Sequence, residues 1–87
     1  MRAVQLDRFG GPEVMELREV DRPSPVPTEV LVRVHAAGVN PVDWKTRAAG
    51  AFLASLAGPP YTLGWDVSGV VEEVGGGVSR FQPGDEV

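Results

Sequence analysis

From Glu29 to Ala37 the chain alternates, with Val30, Val32, Val34 and Ala36 on one face and Leu31, Arg33 and His35 on the other. That is the period of a half-buried strand. It runs into Gly38-Val39-Asn40-Pro41-Val42-Asp43. Pro41 fixes its own φ and pushes Asn40 towards extended geometry, so the ladder must stop there. If a helix follows, Pro41 takes its first position, Asn40 the N-cap, and Asp43 stands three residues after the cap. The pattern is close to a capping box, with Asp where Glu or Gln is usual. Two readings stay open: an ordinary cap, worth about 1 kcal/mol, or the rim of an active site, with two polar side chains held at a strand's end.

Gly and Pro punctuate the remainder into short pieces. Met1 to Phe9 carries Ala3, Val4 and Leu6 and breaks at Gly10-Gly11-Pro12, a strand ending in a turn. Val14 to Val20 sets Met15 and Leu17 against Glu16 and Arg18 and is placed to pair with the first strand as a hairpin. Pro23-Ser24-Pro25-Val26-Pro27 reads as a stiff connector. Trp44 to Ala57 is Ala-rich, with room for one or two short helices before Gly58-Pro59-Pro60. Val67 to Val74 is β-branched, with Gly69 suited to close packing, and turns at Gly75-Gly76-Gly77, which reads as a hairpin turn. Pro83-Gly84 is a further turn, and Asp85-Glu86-Val87 looks like the start of another strand. Short strands at this spacing indicate a mainly β domain, a barrel or sandwich with small helical insertions. The half-written strand at Val87 suggests the front of a larger polypeptide.

Composition excludes several functions. The 87 residues suffice for one small domain, and the absence of cysteine removes disulfides, thiolate metal sites and cysteine nucleophiles together. No apolar run reaches membrane-spanning length, and Gln5, Asp7 and Arg8 interrupt any signal peptide, so a cytoplasmic setting is expected. Net charge is −4, and the eight basic residues are scattered, which argues against a nucleic-acid surface. His35, the sole histidine, stands on a strand without partners and is not expected to bind a metal. Gly75 to Arg80 has G-x-G but no third glycine and no following helix, so the dinucleotide fingerprint is missing.

Four pieces in order then identify a family: Val32-Arg33-Val34 leading into Gly38 to Asp43; Gly64-Trp65-Asp66-Val67-Ser68-Gly69-Val70-Val71; Val74-Gly75; and Phe81-Gln82-Pro83-Gly84-Asp85-Glu86-Val87. Together they resemble the N-terminal GroES-like half of the medium-chain dehydrogenase/reductase superfamily. The resemblance implies a partly open GroES-like barrel with short helical insertions, occupying residues 1–87 of a larger two-domain α/β reductase whose Rossmann nucleotide-binding domain is absent from this stretch. Zinc-dependent members carry a cysteine where this chain has Asn40 and a His-Glu pair where it has Trp65-Asp66. An amide and an indole cannot replace a thiolate and an imidazole, so no zinc is expected.

The Asn-Pro-x-Asp form is similar instead to the zinc-independent branch of quinone oxidoreductases and enoyl reductases. By that resemblance the whole protein reduces quinones or α,β-unsaturated carbonyls with NADPH, works as a homodimer, and is inactive as the 87-residue piece alone. Asn40 and Asp43 would contact the cofactor near its nicotinamide ribose or an active-site water. Lys45 would stabilise developing negative charge or donate a proton, unless it is simply a solvated helix-face lysine. Tyr61 is the better aromatic candidate for the cleft, and Trp65 is expected in the core. Asp66 would orient neighbouring backbone amides or merely start a strand. The alternative is a stand-alone GroES-like module that binds a partner through an open strand edge.

Overall fold

The computed structural model describes residues 1–50, 56 and 58–87. The chain folds mainly as β structure, in two compact units: Met1–Asp21 with Val39–Trp65, and Arg22–Gly38 with Asp66–Val87.

In the first unit, β1 (Arg2–Leu6) pairs antiparallel with β2 (Glu16–Glu19), in register from Arg2 opposite Glu19 to Gln5 opposite Glu16. The expected hairpin is therefore present. A one-turn 3-10 helix, Pro12–Val14, carries the chain between the strands and buries Val14. The other edge of β1 takes the short strand β4 (Tyr61–Thr62), with Leu6 opposite Tyr61. Leu6 is fully buried at the centre of this three-stranded sheet. On β2, Leu17 stays 65% exposed. Arg18, by contrast, is tied down by the Asp7 carboxylate at 2.9 and 2.7 Å and by Glu16 Oε2 at 3.0 and 2.6 Å. The helix α1 (Pro41–Ala49) belongs to the same unit. The helical reading over 51–55 and 57 lies outside the described residues.

In the second unit, β3 (Val30–Gly38) pairs antiparallel with β5 (Asp66–Val74). The register slips twice, leaving Glu72 as an extra residue on β5 and His35 as an extra residue on β3. Bulges reset which face each residue takes. Half-burial holds only from Val30 to Val32, and both faces of β3 are exposed from Arg33 onward. Gly69 fulfils the close-packing expectation, since a Cβ there would stand 2.1 Å from the Arg33 carbonyl oxygen.

Gly75 to Val78 form a turn, closed by Val78 N–H to the Gly75 carbonyl at 3.0 Å, but not the tight hairpin the three glycines suggest. The strand partner arrives only at Asp85 to Val87, which bonds Gly69 and Val71 after the loop. Glycine is needed at Gly75 for another reason. A Cβ there would lie 2.1 Å from the Val26 carbonyl oxygen. The Pro83-Gly84 turn is as expected: Gly84 has φ +97°, and Asp85 N–H donates to the Gln82 carbonyl at 3.1 Å.

Candidate active site

The helix α1 begins where the sequence places it. Asn40 is its N-cap, at φ −125° and ψ 161°, Pro41 stands in the first turn, and Asp43 closes a capping box. Asp43 Oδ2 accepts the Asn40 backbone N–H at 2.9 Å, and the Asp43 N–H donates to the Asn40 carbonyl, also at 2.9 Å. A carboxylate in the first turn also faces the positive end of the helix dipole. The sequence does not foretell how deeply Asp43 is covered. It is 8% exposed, and its second oxygen, Oδ1, is buried with no hydrogen-bond partner among the described residues.

Burial follows the helical period. Asp43 and Thr46 are buried three residues apart, and Gly50 lies on the same side. Lys45 stands about 200° around the helix from Asp43. Its ammonium sits 5.6 Å from the centre of the Trp44 ring, and Trp44 is itself 53% exposed. Among the described residues Lys45 makes no ion pair, so the charge is held only by the indole face.

Tyr61 is set by β4 and by Phe9, whose ring centre lies 4.8 Å from its own at an interplanar angle of 30°. Phe9 also fills the space beside Gly50, where a Cβ would meet its ring at 2.7 Å. The next residue, Gly10, exchanges two bonds with α1: its N–H donates to the Arg47 carbonyl at 2.8 Å, and Arg47 Nε donates to the Gly10 carbonyl at 3.1 Å. The loop after β1 thus fastens the last turn of α1 and braces Tyr61. Sequence reasoning missed Phe9, Thr46 and Arg47. The one available signal was Gly50, whose φ of +80° at the helix C-cap marks it as a terminator.

The structure therefore joins Asn40 to Asp43 directly, sets Lys45 on a different face of the same helix, and packs Tyr61 against Phe9. Trp65 is a correction. The indole is 56% exposed rather than in the core. It follows Gly64, at φ +124°, in the loop between β4 and β5. Asp66 opens β5 opposite Gly38. Among the described residues no three His, Asp or Glu side chains converge on a metal position, and no helix is long and apolar enough to cross a membrane.

Comparison with known proteins supplies the frame. Residues 26–87 match the alcohol dehydrogenase GroES-like domain. The quinone oxidoreductase of Rattus norvegicus is 49% identical over 88 residues, which cover all of this chain and 26% of that protein. The quinone oxidoreductase of Coxiella burnetii superposes with a TM-score of 0.87 at 40% identity, over 99% of this chain and 28% of that one. The Escherichia coli quinone oxidoreductase complexed with NADPH gives a TM-score of 0.84 at 30% identity, over 99% of this chain and 26% of that one. The chain spans about a quarter of the length of these relatives.

Proposed function

The chain belongs to the alcohol dehydrogenase GroES-like domain family, and we propose that it is the first domain of a zinc-independent, NADPH-dependent oxidoreductase that reduces quinones or α,β-unsaturated carbonyl compounds. The observation that carries this reading is the buried, unpartnered Oδ1 of Asp43 beside the Asn40 cap. A carboxylate oxygen in that state is an acceptor with no donor among the described residues. A ribose hydroxyl, a carboxamide N–H or a site water all fit it chemically.

Bound NADPH supplies the hydride. In this reading Asn40 and Asp43 hold the nicotinamide end of the cofactor, Asp43 through Oδ1 while Oδ2 keeps Asn40 in place. Lys45 offers a positive charge or a proton to the reduced oxygen, and Tyr61 offers a hydroxyl on the substrate side. The pyrophosphate is held elsewhere, in a nucleotide-binding domain outside these residues, because no glycine-rich strand-to-helix turn occurs here. Zinc is not required. The donor set at the corresponding positions is Asn40, Trp65 and Asp66, and the sequence has no cysteine. Support for the substrate class comes from the likeness to quinone oxidoreductases over the whole chain, and support for NADPH from the relative that binds it. A homodimer, a cytoplasmic setting and inactivity of the 87 residues alone belong to the same proposal.

The test is Asp43→Asn in the two-domain protein. The amide keeps an acceptor for the Asn40 N–H and removes the charge, so thermal stability should hold. Loss of a charge-assisted bond raises KM for NADPH by roughly tenfold. Unchanged KM and kcat would remove Asp43 from the cofactor site and with it the main support for the proposal.

A further inference from the structure

The second unit holds a cavity of about 370 Å³, lined chiefly by Thr28, Val30, Val78, Ser79, Arg80 and Phe81. Acidic residues outnumber basic ones by 12 to 8, and Arg18, Arg22 and Arg33 are each paired with carboxylates. The cavity, however, is lined by an arginine and no acid. Arg80 makes no ion pair among the described residues; its guanidinium lies 5.9 Å from the centre of the Phe81 ring. That contact orients the cation beside an apolar wall without neutralising it.

Two hydroxyl-bearing residues, Thr28 and Ser79, also line it. Among the described residues none accepts a hydrogen bond from the backbone N–H of Ser79, Arg80 or Phe81. Valines and a phenylalanine supply the remainder of the wall, and the volume falls at the small end of ligand pockets. A guanidinium matches a carboxylate in planar, two-bonded geometry.

From these features we infer that the cavity is a binding site for a small organic carboxylate carried on a compact apolar or aromatic body. The inference is independent of the reductase reading, since every lining group comes from the second unit and none is Asn40 or Asp43. The carboxylate lies on Arg80 and the Thr28 and Ser79 hydroxyls, and the apolar body lies against Val30, Val78 and Phe81.

The experiment titrates the ¹⁵N-labelled chain with benzoate at constant chloride, following the Ser79, Arg80 and Phe81 amides and the Arg80 Nε–H. Benzamide and inorganic phosphate serve as the uncharged and the body-less comparisons. Saturable benzoate shifts confined to this loop are expected, at least fivefold tighter than either comparison. Arg80→Gln should weaken them at least fivefold, while Arg2→Gln, which removes the same charge from the first unit, leaves them unchanged. Absence of saturation up to 50 mM overturns the site, as does equal binding of benzamide or of phosphate. So does benzoate binding that survives Arg80→Gln or is lost equally in Arg2→Gln.

Discussion

Replacing Gly69 by alanine is the sharpest probe of the second unit. The added Cβ would lie 2.1 Å from the Arg33 carbonyl oxygen and 2.9 Å from Val32 Cγ1, where real contacts stay above 3.0 Å. The obstructing atom is backbone, so no rotamer relieves it, and β3 and β5 must separate by about 0.9 Å at that point. Sliding β5 away is blocked on its other edge. There Gly69 and Val87 exchange two bonds of 2.9 Å.

An opening of that size carries ladder bonds of ordinary length beyond about 3.5 Å, where they cease to count. Losing two such bonds costs about 2 kcal/mol. Residual overpacking adds roughly 1–2 kcal/mol, and the lower chain entropy of alanine returns about 0.5–1 kcal/mol. The net expected loss is about 2–3 kcal/mol, a fall of roughly 10–20 °C in Tm for a domain of this size. Gly76→Ala is the matched control: a Cβ there meets nothing within 4 Å, so a change between zero and about 1 kcal/mol of added stability is expected. Thermal unfolding followed by far-ultraviolet circular dichroism reads both. A Gly69→Ala loss below about 0.5 kcal/mol, or an equal loss at Gly76, would refute the close approach of β5 to β3.

Three further outcomes follow from the first unit. Gly50→Ala combines a φ of +80° with a Cβ 2.7 Å from the Phe9 ring; about 2 kcal/mol should be lost, and the Tyr61 ring resonances should move with those of Phe9, both absent if the cap is relaxed. Arg18 holds the Asp7 carboxyl below its ordinary value, chiefly through the side-chain hydrogen bond. A depressed carboxylate contributes stability above its unfolded pKa and loses it as pH falls through the folded one. The chain should therefore lose stability below about pH 4 by a small, salt-sensitive amount, and Arg18→Gln should flatten that limb; an identical acid limb in the variant would remove the pair from the account. Lys45→Met in the two-domain protein should lower kcat with an enone by roughly tenfold or more if the ammonium assists the reduced oxygen, and unchanged turnover assigns Lys45 to the solvated face.

What the sequence made legible was local. The β1–β2 hairpin, the stop at Pro41 and the start of α1 could be read because each depends on periods and caps within a few residues. The exposure of β3 beyond Val32 could not, because burial depends on what covers each face, and neither could the bulges at His35 and Glu72, which are fixed by the pairing of β3 with β5. The three glycines at 75–77 suggest a hairpin by type, whereas Gly75 answers to the Val26 carbonyl, far away in sequence. Residue type predicts burial for Trp65, but type does not say what is available to cover a side chain. Close packing at Gly69 was legible because an isolated glycine within a β-branched strand commonly marks a close approach of another backbone.

Capping and ligand binding by Asn40 and Asp43 differ in their energetic consequences. A cap at this position is worth about 1 kcal/mol. It uses Oδ2 and would function as well with the carboxylate at the surface, where water satisfies the other oxygen. Burying Oδ1 without a partner costs about 1–3 kcal/mol, and more for a charged group. Capping therefore accounts for the pairing of the two residues but not for the depth of Asp43, because the burial costs at least what the cap supplies. A donor that arrives with a ligand offsets that cost, so affinity and burial at Asp43 should vary together. Asp43→Ala, which removes the buried Oδ1 along with the Asp43 half of the capping box, should then destabilise the domain by less than a surface cap deletion, under about 0.5 kcal/mol, while weakening cofactor binding in the two-domain protein. A full loss of about 1–2 kcal/mol with cofactor binding intact would make the hexapeptide a cap and nothing more.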